Sequence, residues 1–159
     1  MYHRLIKSLL RKKYMRLVVQ RVNEASVSVD NKIEGQISKG ALVFFGCHQK
    51  DIPEQIISLA ARLVHMRFFP DNEDKMNLSL VDIKGEILII SQFTLYGDTT
   101  QRRPYFGEAM EARGAEKFYN LFVEEVKKHG LKVETGLFQK KMLVSSINDG
   151  PVTLIVDAK

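Results

Sequence analysis

The feature that most constrains the fold is a run in the middle of the chain, residues 86–95, that begins apolar and ends polar. After Glu86 the sequence reads Ile-Leu-Ile-Ile, and glycines at positions 85 and 97 bound the run. A short, mostly β-branched apolar run favours a strand over a helix. Because it is apolar at successive positions, such a strand is covered on both faces. We therefore predict a buried central strand around which the fold is organised.

The same run becomes polar at its carboxyl end, where Ser91, Gln92 and Thr94 surround Phe93. In a continuing strand, Ser91 and Phe93 would point to one face and Gln92 and Thr94 to the other. Buried hydroxyls and amides need hydrogen-bond partners. Two interpretations stay open for the run alone: these groups build a site at the strand end, or they only satisfy neighbouring backbone.

The rest of the chain predicts one α+β domain, residues 15–159, with mostly antiparallel, barrel-like sheets packed against two main helices. Alternating polarity and turn residues predict strands at 16–22, 26–30, 33–37, 41–47, 132–135, 141–147 and 152–156. One helix follows Asp51, which can cap it, and the second spans residues 115–129 with Phe118, Leu121, Phe122 and Val126 as its apolar stripe.

The net charge of +5 comes from the first 14 residues, which contain five of the 24 basic residues and none of the 19 acidic ones. Residues 15–159 therefore carry 19 charges of each sign. Such a neutral body gives no support for broad binding to nucleic-acid phosphates, and we expect no DNA partner. We expect residues 1–14 to be a disordered basic extension or a start-site artefact, with Met15 beginning the fold.

Several kinds of site are absent from the sequence. The four histidines and Cys47 lack the spacing of a metal site, and neither a Gly-x-Ser-x-Gly frame nor a phosphate loop is present. No apolar run approaches the ~20 residues that span a bilayer. We predict no metal, no cofactor, no membrane partner and a cytoplasmic location. A hydrolase of this kind would use backbone donors, a hydroxyl such as Thr94, and groups of the substrate.

Two further segments are informative. Arg102, Arg103, Tyr105 and Phe106 combine basic and aromatic side chains in a loop. This combination suits nucleic acid and equally suits a solvated loop with packed aromatics. Near the carboxyl terminus, Gly150-Pro151 predicts a turn whose peptide bond could be cis, although trans is the commoner form.

Five segments together resemble the D-aminoacyl-tRNA deacylase family: residues 15–22, 76–80, 91–95, 102–104 and 148–153. They occur in the family's order and spacing, over residues 15 to about 157, and the family pattern does not require residues 1–14. The resemblance implies hydrolysis of the ester between a D-amino acid, or glycine mischarged on tRNA-Ala, and the terminal adenosine of a tRNA. L-aminoacyl-tRNA would be rejected.

The resemblance also implies a homodimer with its sites at the interface. The catalytic segment would be Ser91, Gln92, Phe93 and Thr94. Gly150-Pro151, as a cis pair, would reach into the partner's pocket and clash with an L side chain, while Arg21 holds that turn and Met142 lies near the aminoacyl pocket. Since the body is neutral, contacts to the tRNA acceptor end should be modest and local, through Arg102, Arg103, Lys140 and Lys141.

Two alternatives to an enzyme remain, a non-catalytic homodimer that binds aminoacyl-tRNA and a structural homodimer with no RNA role. A mere binder needs no paired catalytic segment and Gly-Pro turn, so the enzyme is favoured. Because a threonine hydroxyl without an adjacent base is a poor nucleophile, we expect water to attack. The terminal 2′-hydroxyl of the tRNA would assist, and amides near Phe93 and Thr94 would stabilise the oxyanion.

Overall fold

The computed structural model describes residues 15–159, so the predicted extension at residues 1–14 lies outside the described residues. Eight strands are present in this part of the chain: β1 (Arg16–Val29), β2 (Lys32–Ile37), β3 (Gly40–Gly46), β4 (Phe69–Pro70), β5 (Met76–Leu78), β6 (Glu86–Ser91), β7 (Val133–Thr135) and β8 (Leu143–Asp157). The helices are α1 (Gln55–His65), α2 (Leu80–Ile83) and α3 (Ala112–Lys127), and a 3₁₀ turn spans Phe93–Tyr96.

Six strands form one mixed sheet in the order β2-β1-β3-β6-β7, with β8 paired along β1. β1 is antiparallel to β2, β3 and β8, whereas β6 is parallel to both β3 and β7. Parallel neighbours need a crossover connection, and α1 and α3 lie in the two crossovers. The sheet curls nearly into a barrel, which confirms the predicted α+β class with two main helices.

The central strand β6 separates two hydrophobic clusters. Ile87 and Ile89 belong to the larger cluster, between the sheet and the helices α1 and α3. Leu88 and Ile90 belong to the smaller one, inside the curled sheet. All four side chains are at most 2% exposed. The prediction that this strand is covered on both faces is therefore confirmed.

Two predicted strand pairs are single long strands. The segments 16–22 and 26–30, predicted to be separate, form β1 together, and residues 141–147 and 152–156 merge into β8. The predicted turn at Gly150-Pro151 is instead an interruption within β8: Asn148 pairs with Val22 and Thr153 with Gln20, so residues 149–152 have no partner on β1. The Asn148 side-chain amide donates to the carbonyls of Arg21 and Val152, at 2.9 and 3.0 Å, across this irregularity.

Both main helices begin elsewhere than predicted. Asp51 does not cap α1, since its carboxylate accepts hydrogen bonds from the backbone N–H groups of Met15 and His48, each at 2.7 Å. The second helix, α3, starts at Ala112 because Glu111 caps it, accepting from two backbone N–H groups of its first turn. Leu121, predicted to lie in its apolar stripe, is 43% exposed.

Candidate active site

A cavity of about 650 Å³ opens at the carboxyl end of β6. Four separate parts of the chain line it: Phe45 and Cys47 at the end of β3, residues 90–93 at the end of β6, the region around the start of α3 at residues 110–115, and residues 138–144 around the start of β8. A strand end next to a helix start leaves a concavity that a ligand can enter. The cavity thus brings together predicted site residues that are about fifty positions apart in sequence.

The local structure of residues 91–96 differs from the expected continuous strand. β6 ends at Ser91, and Phe93 and Thr94 lie in a 3₁₀ turn where both are exposed. The Gln92 backbone N–H still donates to the Phe45 carbonyl at 2.8 Å, as the last hydrogen bond of the parallel β3–β6 ladder, and the chain then turns, with the Leu95 N–H donating to the Gln92 carbonyl at 3.3 Å. The predicted alternation of these side chains between two faces is therefore wrong. As first residues of a helical turn, Phe93 and Thr94 leave their N–H groups without intrahelical acceptors.

The hydroxyl of Thr94 faces a donor rather than a base. Its oxygen accepts a hydrogen bond from the Gln92 side-chain amide nitrogen at 2.5 Å. An amide nitrogen cannot take up the threonine proton, so this contact does not activate Thr94 as a nucleophile. Cys47 also lines the cavity, but burial raises the pKa of its thiol and keeps it neutral.

The remaining predicted residues of the cavity lie before β8. Met142 lines the cavity, and so do Lys140 and Lys141, which are both exposed. A flexible thioether on the wall suits adaptable contact with an apolar group. Two exposed ammonium groups at the same opening place positive charge where a phosphate or another anion would approach.

The Gly150-Pro151 pair lies outside the residues that line this cavity. Its peptide bond is cis, and both residues are exposed. Arg21, only 9% exposed, contacts the preceding residue: its Nε donates to the Asp149 carbonyl at 3.1 Å, while its Nη1 donates to the Phe68 carbonyl at 2.8 Å. An Asp149 carboxylate oxygen lies 3.1 Å from the same Nε. A buried guanidinium with several acceptors is held in one geometry.

Arg102 and Arg103 are exposed on the loop after the 3₁₀ turn and do not line the cavity. The loop nevertheless touches the cavity wall, because the ring of Phe106 packs edge-on against Phe93 with their centroids 5.2 Å apart. The predicted RNA-contact residues are thus divided, with the two lysines at the cavity and the two arginines on the adjacent loop.

The family model for D-Tyr-tRNA(Tyr) deacylase matches residues 18–157. The chain belongs to this family. The predicted resemblance and the predicted enzyme class, a deacylase, are therefore confirmed.

Relatives and solved structures agree with the family. The D-aminoacyl-tRNA deacylase of Desulfotalea psychrophila is 50% identical over 146 residues, which cover 91% of this chain and 98% of that protein. The D-aminoacyl-tRNA deacylase of Halothermothrix orenii is 52% identical, covering 91% and 97%. The solved c-Myc DNA Unwinding Element Binding Protein has a TM-score of 0.85 at 34% identity, covering 91% and 99%. A probable eukaryotic D-amino acid tRNA deacylase has a TM-score of 0.80 at 18% identity, covering 91% and 99%, and shows the fold alone.

Sequence reasoning missed several residues of the deacylase cavity, above all Met110, Ala112, Ala115 and Phe138. They carry no polar side-chain group and follow the same apolar pattern as core residues. The sequence therefore did not predict that they line the cavity. Among residues 15–159, no three His, Cys, Asp or Glu side chains lie close enough together to hold a metal ion. Within the same range, no helix is long and apolar enough to cross a membrane.

Proposed function

We propose that this protein hydrolyses the ester between a D-amino acid and the terminal adenosine of a tRNA, and that it spares the L ester. It would act in the cytoplasm as a homodimer. The observation that carries the proposal is the cavity at the end of β6, where Ser91, Gln92 and Phe93 meet Met142, in a chain whose relatives are named D-aminoacyl-tRNA deacylases.

The chemistry of the cavity favours attack by water. Thr94 has a donor as its partner and Cys47 is neutral and buried, so neither supplies a nucleophile. The N–H groups of Phe93 and Thr94 are free of intrahelical acceptors and suit the oxyanion that forms at the ester carbonyl. The terminal 2′-hydroxyl of the tRNA would assist the reaction from the substrate side.

Discrimination between D and L esters needs a second copy of the chain. Met142 lines the cavity, but Gly150 does not and lies beyond the paired segment 143–148 of β8, which spans on the order of 17 Å. One chain therefore does not bring both to the same ester. In a dimer, the exposed Gly150-Pro151 backbone of one copy would enter the cavity of the other and exclude an L side chain. Glycine, including glycine mischarged on tRNA-Ala, has no side chain to exclude.

β8 offers the surface for such a dimer. Within residues 15–159 it pairs only with β1, so its other edge is open. Leu143, Ile147 and Ile155 on this strand are 63%, 52% and 66% exposed. An exposed strand edge with apolar side chains is a typical interface between identical chains.

The deciding experiment is deacylation of matched D- and L-tyrosyl-tRNA by the purified protein. Loss of the D ester with the L ester spared is the expected result. Tight binding without loss of either ester would favour the non-catalytic alternative, and loss of both would refute the proposed filter. Thr94→Ala should keep most of the single-turnover rate, and loss of that rate would show that the threonine hydroxyl is required. A substrate with a terminal 2′-deoxyadenosine should react slowly, and an unchanged rate would refute assistance by the 2′-hydroxyl.

Gly150→Ala tests the filter directly. Gly150 has φ +148°, and an added Cβ would lie 2.6 Å from the Val152 backbone nitrogen, so the segment must shift. We expect a lower ratio of D to L hydrolysis. Gly130→Ala is the matched control, since Gly130 also has a positive φ, +77°, with nothing within 4 Å of an added Cβ. An equal change of the ratio in both variants would contradict the role of Gly150.

A further inference from the structure

The loop at residues 97–107 carries exposed side chains that the proposed chemistry does not use. Tyr105 is 66% exposed and Phe106 is 37% exposed. Phe106 contacts Phe93, itself 54% exposed, and Phe93 lines the cavity. The Phe93–Phe106 pair thus connects the cavity wall to the loop, and exposed Tyr105 is the neighbour of Phe106 in the chain. Such a surface marks a place where a partner binds.

The loop is held in a defined shape. Asp98 and Tyr105 form an antiparallel bridge, with backbone hydrogen bonds of 2.7 and 3.0 Å in the two directions. The Asp98 carboxylate also accepts from the Thr100 N–H at 2.9 Å. Past the loop, the Met110 N–H donates to the Cys47 carbonyl at 3.0 Å. A preformed loop binds a ligand with little loss of its own conformational entropy.

The charges around the cavity indicate the occupant. Arg102 and Arg103 are exposed on this loop, and Lys140 and Lys141 are exposed at the cavity, although residues 15–159 are neutral as a whole. Aromatic rings beside local positive charge suit single-stranded RNA, whose bases stack and whose phosphates pair with cations. They do not suit a long duplex, which needs a broad basic surface.

We propose that Tyr105, with Arg102 and Arg103, binds the unpaired nucleotides that precede the terminal adenosine of the tRNA. The ring of Tyr105 stacks on a base and the two guanidinium groups bind backbone phosphates. This inference rests on the proposed function, because it places the aminoacyl ester in the cavity. The neighbouring nucleotides then leave the cavity past Phe93 and reach the loop.

The test compares two substrates that differ only in those nucleotides: D-tyrosyl-tRNA, and the D-tyrosyl ester of adenosine alone. Tyr105→Ala should raise KM for the tRNA ester about 5- to 150-fold, the range expected for loss of one stacked base, with kcat unchanged. It should leave kcat/KM for the adenosine ester unchanged. Tyr105→Phe keeps the ring and should restore the KM. Ile57→Ala, an exposed apolar residue of α1, is the control and should change neither substrate.

The arginines are tested by salt dependence. Arg102→Ala with Arg103→Ala should lower the slope of log KM against log salt by about 0.7 for each phosphate that no longer pairs with a guanidinium group. The control pair, Lys127→Ala with Lys128→Ala, removes two charges at the far end of α3, about 18 Å from Ala115 by helix length. An equal change in slope for both pairs would refute a local interaction of the arginines with the RNA.

A binding measurement separates this inference from the proposed function. Fluorescence anisotropy of a short RNA with the tRNA 3′ sequence should show weaker binding to Tyr105→Ala by a similar factor. If the unmodified protein cleaves neither ester, the proposed function fails, and the anisotropy result alone decides the loop. If the unmodified protein cleaves both the tRNA ester and the adenosine ester, but Tyr105→Ala changes neither KM nor RNA binding, the proposed role of Tyr105 is refuted. Dissociation of the Tyr105→Ala protein in size-exclusion chromatography would also refute it, since the ring would then contact a second copy.

Discussion

Deleting residues 1–14 should reverse the contribution of Asp51 to the pH dependence of stability. In the full chain, the backbone nitrogen of Met15 is a neutral amide that donates to Asp51 Oδ1 at 2.7 Å. His48 donates its own N–H to the other oxygen at 2.7 Å. Burial outweighs these two hydrogen bonds and raises the pKa of Asp51 from 3.8 to about 6. The deletion converts the Met15 nitrogen into an α-ammonium group beside the same carboxylate.

The direction of this pH dependence follows from the coupling between folding and proton binding by Asp51. In the full chain the folded pKa of Asp51 is raised, so its stabilising contribution is present below about pH 4 and is lost as pH rises through about 6. The full difference corresponds to ~3 kcal/mol, and we expect roughly half of it because solvent screens the charge. In the deletion protein the ammonium lowers the pKa of Asp51. Its contribution is then present at neutral pH and lost as pH falls.

The assay is urea unfolding at about pH 4.5 and about pH 7, at one protein concentration. On going from pH 4.5 to pH 7, the free energy of unfolding of the deletion protein should rise by about 1–3 kcal/mol relative to that of the full chain. Asp51→Asn in both backgrounds is the control and should abolish that difference. Intact mass must show an unmodified Met15 terminus. The same pH dependence in both chains, or a difference that persists in Asp51→Asn, would refute the reasoning.

Two further predictions concern the core. Phe122→Ala removes a fully buried ring that stacks on Phe45 with centroids 4.7 Å apart. It should lower the free energy of unfolding by about 3–5 kcal/mol, measured as a lower urea midpoint with an unchanged m-value. Leu121→Ala, next to it but 43% exposed, should cost less than about 1.5 kcal/mol, and a cost similar to that of Phe122→Ala would contradict the assigned burial. Tyr119→Phe leaves a buried β6 carbonyl without its 2.7 Å hydrogen bond and should cost about 1–3 kcal/mol; an unchanged midpoint would show that the hydroxyl contributes nothing.

The strand β6 shows what the sequence could and could not predict. Four successive apolar residues require cover on both faces in any strand, so the burial of Ile87 to Ile90 followed from composition. The end of the strand did not, because the polar residues after it fit a strand and a helical turn equally well. Pairing stops where the neighbouring strand β3 ends, at Gly46, and its last hydrogen bond runs from the Gln92 N–H to the Phe45 carbonyl. Asp51 is a similar case, since a good capping residue is used instead to bind the distant Met15 backbone.

The candidate site likewise contains one part that the sequence predicts and one part that it does not. Its polar segments were found because several of them resemble a family in order and spacing. Its apolar wall was not, because Ala112, Ala115 and Phe138 cannot be distinguished by pattern from core residues. Only the folded chain shows that the segment before β8 and the start of α3 face the same cavity.

The proposed discrimination between D and L esters uses two features that lie at separate places in the chain. Met142, which precedes β8, lines the cavity where the ester would react, and Gly150 lies beyond the paired segment 143–148, which spans on the order of 17 Å. Arg21 fixes the Gly150 region through backbone and carboxylate contacts with Asp149, independently of the cavity. In the proposal, the Gly150 segment of one chain would therefore act on the cavity of the other. In the proposed dimer, ester hydrolysis therefore depends on one chain and its stereochemical restriction on the other, so loss of the β8 interface would remove the selectivity and leave the cavity itself intact.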